Sequence, residues 1–355
     1  MSFVDILNTI WPILVALLLF CVIITIHEFG HFIFAKIFKV KVNEFAVGFG
    51  PAIFKKQKGE TLYALRILPI GGYCAMEGED TDSDDDRAFF RAKVWKRIII
   101  VAAGAIFNII LGFIIMAIIV GCQPTLSTNV VAKFDDKATS NTGKSALMVD
   151  DEIININGRG IYSPDDISYM LATDTDGIVK MVVKRGNEKI ILDDVRFKLT
   201  EVEGSQIIEL DFWVKGEQNN FGLWAKQSFM RTVSMGRMVW MSFIDLCTGK
   251  YGINELSGPV GVTKIISDAV SGVTVDGMKS LLVLMRILCM ITVNLGVFNL
   301  LPIPALDGSR ILFLAIEGVR KKPVKNEALI HTIGMSVLLI FMAIIIVKDL
   351  YQWIW

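Results

Sequence analysis

Four long runs of apolar residues set the strongest limit on how this chain can fold. They extend from about Ile10 to Phe34, Ile98 to Val120, Leu281 to Leu301 and Ile333 to Val347. A run of about 20 apolar residues forms a helix that crosses the hydrocarbon core of a bilayer. The third run contains Arg286, which is near enough to one end for its guanidinium to reach the membrane surface. The sequence therefore predicts four membrane-spanning helices.

Composition supports membrane spans and excludes some other classes of protein. Hydrophobic residues make up 53% of the chain, more than a typical soluble domain contains. The net charge is zero, so the charge balance gives no support for a nucleic-acid partner. The five cysteines show no CxxC spacing, and no disulfide framework is predicted.

The basic residues indicate how the predicted spans are oriented. Twelve Lys and Arg residues lie from Lys36 to Arg97, five lie from Arg310 to Lys325, and residues 1–10 contain none. Short loops rich in Lys and Arg stay on the cytoplasmic side of a membrane. We therefore expect both basic loops to be cytoplasmic and both termini of this multi-pass chain to be extracytoplasmic.

Three segments between the predicted spans have patterns of their own. Residues 42–76 carry turn signals and alternating apolar residues, as in Thr61–Ile67, which are typical of a β-hairpin. The polar stretch Thr125–Thr200 combines strand-like runs with Asn, Asp and Gly, and predicts a small α+β domain. Ser228–Leu246 mixes apolar and polar residues at helical spacing. That mixture fits either a helix on the membrane surface or an amphipathic core helix.

Together these patterns predict a polytopic α-helical membrane protein. It has four transmembrane helices, a membrane-associated β-hairpin loop and an inserted extracytoplasmic α+β domain. The predicted limits are a first transmembrane helix over 1–38, a hairpin or re-entrant loop over 39–97, a second transmembrane helix over 98–121, the α+β domain over 122–225, an amphipathic membrane-surface helix and loop over 226–280, and the third and fourth transmembrane helices over 281–355.

The run His27-Glu28-Phe29-Gly30-His31 is the strongest chemical motif. Positions four apart share one face of a helix, so both imidazoles can reach one metal ion, and imidazole suits zinc. The glutamate beside the first histidine can take a proton from metal-bound water. Two of the three histidines in the chain belong to this motif. The alternative is a pair of buried polar residues, but ionisable groups inside a span are costly and usually functional.

A catalytic zinc site has three protein ligands and one open position, so the two histidines need a partner. The candidate is Asp307 in the run Asn299-Leu-Leu-Pro-Ile-Pro-Ala-Leu-Asp-Gly. Pro302 and Pro304 cannot continue a helix, so we expect the third span to break beside this aspartate. The alternative for Asp307 is a loop residue before glycine in a turn. We expect His331, the third histidine, to be an interfacial residue rather than a ligand.

The depths of the two motifs agree with each other. At 1.5 Å per residue, His27 lies about 25 Å into the first span and Asn299 about 27 Å into the third. Both spans run from outside to inside under the orientation predicted above. The two motifs therefore arrive at the same cytoplasmic side of a hydrocarbon layer about 30 Å thick.

With these residues identified, the chain resembles the site-2 protease family of intramembrane zinc metalloproteases, in its bacterial form with a PDZ domain. The resemblance covers nearly the whole chain. Its motifs are HEFGH at 27–31, Gly48–Pro51 and Gly71–Tyr73 in the hairpin, a PDZ-like insert, Leu256–Gly261, and the run from Asn299 to Gly308. HExxH alone occurs in many unrelated metalloproteases. Its combination with the Pro-rich Asp-Gly run is specific to this family.

The resemblance implies a set of residue roles. One Zn²⁺ would be bound by His27, His31 and Asp307, and Glu28 would activate a zinc-bound water. Substrate would be bound by Asn299, Pro302, Pro304, Gly71 and Gly72. The hairpin looks like the element that receives the substrate as an added strand, because a helical substrate must unwind before a strand edge can pair with it. We place that pairing at Thr61–Ile67.

The resemblance also implies substrates and a location. Substrates would be single-span membrane proteins cut in or near their transmembrane segments, either anti-sigma factors already shortened by another protease or remnant signal peptides. The protein would reside in the bacterial cytoplasmic membrane, with its active site towards the cytoplasmic side. In the PDZ-like insert, Ala146 and Asp150 replace two glycines of the family pattern. We therefore expect a size filter or a weak docking surface there, rather than a tight binder of peptide C-termini.

Two other functions remain open at this point. One is a membrane-anchored PDZ adaptor with an inert metal motif, and the other is a metal-handling transporter that uses the same ligands. An adaptor would keep its full function after Glu28→Gln, and a transporter would move metal and would need more carboxylates inside the membrane than Asp307 provides.

Overall fold

A computed structural model describes residues 3–79, 83–202, 205–250, 258, 261, 277–322, 324 and 326–354. The chain divides into two compact units. The first comprises Met1–Ile115 and Ser242–Trp355, and the second comprises Met116–Met241. Most of the family pattern Leu256–Gly261 lies outside the described residues, as does most of the predicted loop before residue 277.

The described residues contain seven α-helices. They are α1 (Phe3–Ile37), α2 (Val94–Gly121), α3 (Pro164–Ala172), α4 (Phe221–Cys247), α5 (Gly277–Asn299), α6 (Asp307–Arg320) and α7 (Glu327–Ile354). The short helix α6 was not predicted as a separate element. It matters for the site, because its first residue is Asp307.

Four of these helices contain segments that are long and apolar enough to cross a membrane. The segments are Leu14–Ile37, Val94–Gly121, Leu281–Asn299 and Glu327–Tyr351. Many of their large apolar side chains are exposed, for example Val347 at 67%. Lipid tails are as apolar as these side chains, so exposure to lipid carries no hydrophobic penalty. The described part of the chain therefore has four candidate membrane-spanning helices, which is consistent with the predicted membrane protein.

The residues between α1 and α2 form two long strands, β1 (Val42–Lys58) and β2 (Thr61–Met76), which pair with each other. Both strands bend, so residues 44–47 of β1 have partners on two sides, at 62–65 and at 72–75 of β2. Apolar side chains of the strands join a core with the helices of the first unit, made of Ala35, Val42, Cys74, Ile100, Leu314 and their neighbours.

The observed strand pairing puts a different segment at the edge of this sheet from the one that we predicted from the sequence. Residues 62–65 lie between residues 44–47 and residues 54–57, so they are inside the sheet. In the described residues, 72–76 pair with β1 alone and form one edge of the sheet. Our placement of an accepting edge at Thr61–Ile67 is therefore wrong for most of that segment. Alternation along a strand reveals its faces but not which neighbour it acquires.

The second unit is an α+β fold. Its strands are β3 (Thr125–Phe134), β4 (Glu152–Ile156), β5 (Arg159–Gly160), β6 (Ile178–Arg185), β7 (Glu188–Arg196), β8 (Leu199–Val202), β9 (Ser205–Ile208) and β10 (Phe212–Gln218). The main sheet has the order β10-β3-β4-β6-β7, and α3 contributes Ile167, Met170 and Leu171 to its core. Asp150 adopts a φ of 75°, a left-handed conformation that glycine adopts more readily.

Helix α4 turns polar side chains towards this unit. Ser234 donates to Asp166 at 2.8 Å, and the guanidinium of Arg237 lies 4.0 Å from the centre of the Tyr162 ring. Phe229, by contrast, is 56% exposed. The helix also contributes Met238 and Met241 to the apolar core of the unit. It therefore has an apolar side in the core as well as an exposed aromatic residue, and its location at a membrane surface stays a prediction.

Candidate metal centre

Helix α1 presents its two histidines one turn apart on one face. His27 Nε2 lies 3.2 Å from His31 Nε2. Asp307 approaches both rings, with its Oδ2 atom 3.1 Å from His27 Nε2 and 3.5 Å from His31 Nε2. In the described residues these three form the group of side chains spaced to hold a metal ion. The structure therefore brings together residues from two motifs that are far apart in the sequence.

The spacing of the three ligand atoms fits zinc. Zinc–ligand bonds of about 2.0–2.1 Å at tetrahedral angles place the ligand atoms about 3.3 Å apart. The three observed separations of 3.1, 3.2 and 3.5 Å lie around that value. Two imidazoles and one carboxylate are also a donor set that catalytic zinc sites use, with a fourth position left for water or substrate.

The end of α5 and the start of α6 bring Asp307 into place. Helix α5 ends at Asn299, and Pro302 interrupts the segment that follows. A Cβ atom on Gly308 would lie 2.1 Å from the backbone oxygen of Leu301. Glycine is therefore required for the first turn of α6 to pack against this segment. The close approach explains why Asp307 is followed by glycine.

Helix α7 supports the same segment from another side. Ala305 has a φ of 85°, and its N–H donates to His331 Nδ1 at 3.3 Å. A Cβ atom on Gly334 would lie 2.3 Å from the Cβ atom of Pro304, so the two backbones are in close contact. His331 thus lies at the site, where it supports the segment before the aspartate and stands outside the ligand group.

Helix α2 forms the wall behind the two histidines, which the sequence analysis did not predict. His31 Nδ1 lies 2.8 Å from the carbonyl oxygen of Ile100, and His27 Nδ1 lies 3.4 Å from the Asn108 side chain. Between them, a Cβ atom on Gly104 would lie 2.4 Å from His31 Nε2. These three α2 residues are spaced four apart and so form one stripe of the helix.

A signal for this stripe was present in the sequence. Asn108 is the one amide side chain inside the second apolar run, Ile98 to Val120, and Gly104 precedes it by four residues. Small residues allow membrane helices to approach closely, and polar residues inside a span are usually functional. The structure shows the same close approach on the other helix, where a Cβ atom on Gly30 would lie 2.5 Å from the Ala103 carbonyl oxygen.

A cavity of about 500 Å³ opens onto the histidines and the aspartate. It also contains the side chain of Glu28 and one edge of the hairpin. Its other lining residues come from β2, α2, α6, α7 and the segments beside them: Tyr73, Cys74, Ala75, Met76, Glu79, Val101, Ala305, Arg310, His331 and Met335. The cavity is therefore bounded by a possible metal site on one side and by a strand edge on another.

The residues that the resemblance implied for substrate binding have different positions. Asn299 Nδ2 lies 3.5 Å from His27 Nε2, so its amide is at the metal site. A Cβ atom on Gly72 would lie 3.6 Å from Glu28 Cγ, which places this backbone beside the glutamate. Gly71 has a φ of 90° and packs against the Phe49 ring. Pro302 is exposed, and Pro304 packs against α7.

Charged and ionisable groups line the cavity next to the ligands. Arg310, one turn after Asp307, forms an ion pair with Glu79, which follows β2. Burial, with the negative charges of Glu28 and Glu79, raises the pKa of the Cys74 thiol well above its ordinary value.

Comparison with known proteins places the chain in a family. The model of peptidase family M50 matches residues 15–343, a range that includes both the HExxH motif and Asp307. The chain belongs to peptidase family M50. This is the site-2 protease family that the sequence motifs resemble, so the resemblance is confirmed.

The names of individual relatives are consistent with this family. A protein of Clostridium acetobutylicum named as a zinc metalloprotease is 33% identical over 345 residues, which cover 95% of this chain and 96% of the relative. The regulator of sigma-W protease RasP from Bacillus subtilis is 26% identical over 420 aligned positions, covering 95% and 97%. This M50 chain is therefore a zinc metalloprotease, and its apolar helices and relatives indicate a bacterial membrane protein.

Proposed function

We propose that this M50 protease hydrolyses peptide bonds in or near the transmembrane segments of single-span membrane proteins. The observation that carries the proposal is where the zinc-binding donor set lies. His27 and His31 belong to the spanning segment Leu14–Ile37, and Asp307 follows shortly after the span that ends at Asn299. A metal centre at this position acts on substrates that are themselves in the membrane.

The chain's own residues divide the chemistry among them. His27, His31 and Asp307 would hold one zinc ion, which when bound makes water more acidic and polarises the scissile carbonyl. The Glu28 carboxylate takes a proton from the attacking water as its oxygen bonds to the carbonyl carbon. Glu28 then gives that proton to the amide nitrogen as the C–N bond breaks. The products are a carboxylic acid and an amine.

Asn299 and Gly72 complete the site around the scissile bond. The Asn299 amide lies close enough to His27 to donate a hydrogen bond to the carbonyl oxygen as negative charge develops on it. A neutral amide loses less solvation in a buried site than a charged donor does. Gly72 leaves space beside Glu28 for a substrate backbone, Gly71 fixes the turn before it, and Pro302 and Pro304 shape the segment that carries Asp307.

We place the substrate on the edge formed by residues 72–76. Residues 73–76 of this edge line the same cavity as His27, His31 and Asp307. An unwound substrate segment would add to this edge as a strand, with main-chain hydrogen bonds that do not depend on its sequence. The backbone of a helical substrate is inaccessible until it unwinds, so strand addition also explains how the cleavable state is stabilised.

Proline substitution tests strand addition. Successive N–H groups along an edge strand alternate between the paired side and the open side. Proline is placed in turn at Tyr73, Cys74 and Ala75, and we expect at least one variant to lose cleavage of helical substrates more than cleavage of extended peptides. Ala64→Pro is the control, because residue 64 lies inside the sheet and its loss should affect both substrates equally. The proposal is contradicted if each of the four variants loses cleavage of helical substrates and cleavage of extended peptides to the same extent.

The proposal extends to the class of substrate and to the orientation of the chain in the membrane. Given the sigma-W relationship in the name of the Bacillus subtilis relative, anti-sigma factors already shortened by another protease are one substrate class, and remnant signal peptides are another. We propose that both termini are extracytoplasmic and the metal centre is near the cytoplasmic side. The α+β unit then works outside the membrane as a PDZ-like size filter or weak docking surface.

Glu28→Gln is the variant that separates a protease from an adaptor. The substitution keeps the size of the side chain but removes the carboxylate that accepts a proton. We expect zinc content to remain at the wild-type level, while single-span membrane fragments accumulate in cells and can be identified by proteomics. A Glu28→Gln protein that supports normal processing would show that the metal centre is inert and that the chain acts as an adaptor.

Asp307→Ala tests the third ligand. Two imidazoles alone hold zinc weakly, so purified Asp307→Ala protein should lose most of its zinc and all cleavage activity. Elemental analysis of the full chain in detergent measures this directly. Zinc content equal to that of the wild type would remove Asp307 from the ligand set.

A further inference from the structure

Asn108 is a buried amide that the proposed reaction does not use. It lies within the spanning segment Val94–Gly121, and its side chain is fully buried. Its Oδ1 atom is buried and has no hydrogen-bond partner in the described part of the chain. An unpaired polar atom inside a membrane is destabilising, and polar residues kept there usually have a function.

The neighbour of this amide is a metal-site histidine. The Asn108 side chain lies 3.4 Å from His27 Nδ1, while His27 Nε2 faces His31 and Asp307. An imidazole that binds a metal through Nε2 carries its proton on Nδ1, and that N–H needs an acceptor. The amide Oδ1 is such an acceptor. A half-turn of the amide brings Oδ1 to Nδ1–H and pairs the orphaned oxygen.

The other histidine is held in the same way, by the same helix. His31 Nδ1 lies 2.8 Å from the Ile100 carbonyl oxygen, so its N–H also meets an oxygen of α2. The hydroxyl of Thr292 of α5 donates to the Asn108 backbone carbonyl oxygen at 3.4 Å, a contact separate from the amide side chain. Each imidazole therefore has one nitrogen at the metal position and the other against α2, at the Ile100 carbonyl oxygen for His31 and at the Asn108 amide for His27.

We propose that Asn108 is a positioning residue for the zinc site, whose amide oxygen accepts the Nδ1–H of His27 and fixes the tautomer and ring orientation in which Nε2 binds the metal. This inference rests on the proposed zinc site. Partners of this kind typically contribute 10–100-fold, in order of magnitude, to metal affinity, because they hold the ligand in place and raise its basicity.

Three variants test the role of the amide oxygen. Asn108→Leu has a similar volume and no acceptor, and we expect it to bind zinc about 10–100-fold more weakly. Asn108→Asp keeps an acceptor at the same position and should bind zinc as tightly as the wild type or more tightly. Thr292→Val removes a neighbouring buried hydrogen bond without touching the His27 side chain, so its zinc affinity should stay at the wild-type level.

The measurement is zinc affinity of the full chain in detergent, by competition with a chelator. The absorption bands of the Co²⁺-substituted protein give a second readout of ligand geometry. Thermal unfolding of the metal-free protein shows whether a variant is folded, and if Asn108→Leu does not fold, Asn108→Asp still decides the question. The inference is overturned if Asn108→Asp binds zinc clearly more weakly than the wild type does. It is also overturned if Asn108→Leu binds zinc as tightly as the wild type does.

The design also distinguishes this inference from the proposed function. A wild-type protein that binds no zinc would refute the proposed function and with it the inference. A wild-type protein that binds zinc, beside an Asn108→Leu protein that binds it equally well, would refute the inference alone. Equal weakening by Thr292→Val and Asn108→Leu would assign the effect to packing between α2 and α5 and would also overturn it.

Discussion

Gly104 is the position where a single added atom should have the largest effect on the metal centre. The Cβ atom of Gly104→Ala would lie 2.4 Å from His31 Nε2 and 2.8 Å from His27 Cε1, whereas ordinary contacts begin at 3.4 Å. The His31 ring must therefore move by about 1 Å, a figure that follows from the contact distance. Helix α2 cannot simply move away, because His31 is held to the Ile100 carbonyl oxygen.

A displacement of this size is large for a metal ligand. Zinc–ligand distances hold within about 0.2 Å of their preferred values, so a shift of about 1 Å removes His31 from the coordination sphere. A misplacement of about 1 Å commonly lowers catalysis by about 100-fold, which corresponds to about 2.7 kcal/mol of activation free energy. We therefore expect Gly104→Ala to lose zinc and at least about 100-fold in kcat/KM.

The assay combines zinc content of the purified full chain with cleavage of a single-span reporter. Gly112→Ala is a matched control on the same helix, where the new Cβ atom would lie 2.3 Å from the Val293 side chain. That side chain is away from the metal centre, so Gly112→Ala should lower stability but keep zinc. Retention of zinc and activity in Gly104→Ala, or equal loss of zinc from both variants, would show that the Gly104 contact does not position His31.

Three further perturbations have outcomes that follow from the described contacts. Arg97→Met leaves the Glu317 carboxylate without the ion pair that joins α2 to α6, and should lower the free energy of unfolding by about 3 kcal/mol in thermal unfolding, with recovery in the double variant with Glu317→Met. His331→Phe removes the acceptor for the Ala305 N–H and should lower the zinc content of the protein. His331→Asn keeps an acceptor and should retain most of the zinc. Equal zinc content in the two variants would contradict this prediction. Hydrogen bonds from Ser83 and Asn43 lower the pKa of Glu77, so its contribution to stability is complete above its ordinary pKa of 4.5 and disappears as the pH falls through the lower folded value. In Glu77→Gln, the unfolding midpoint should therefore fall less steeply as the pH is lowered through the acid range than it does in the wild type. The same steepness in both proteins would refute this contribution of Glu77.

The sequence predicted the parts of this protein that depend on composition and short spacing. Long apolar runs are sufficient to identify spanning helices, because no other element satisfies backbone groups over that length in lipid except a closed barrel. The spacing of His27 and His31 predicts a shared helix face, and the prolines before Asp307 predict a break in the helix. The structure brings these three side chains within reach of one ion.

Features that depend on neighbours in space were missed. Gly104 and Asn108 differ from the rest of their apolar run in size and polarity, but nothing in the sequence says which face of α2 meets α1. The edge at residues 72–76 was misplaced because both halves of β2 alternate, and register alone decides which half is internal. Helix α6 was missed because the signals before it, two prolines and an Asp-Gly pair, are typical of a loop.

The way α2 braces the two imidazoles has a consequence for how the protein is made. The first two spanning helices contain His27 and His31, together with the Ile100 carbonyl and the Asn108 side chain that lie against their Nδ1 atoms, whereas Asp307 is synthesised only after the whole second unit. For the proposed three-ligand site, a growing chain would therefore hold the two imidazoles early and gain the carboxylate late. The complete donor set would exist only once the C-terminal helices have been made.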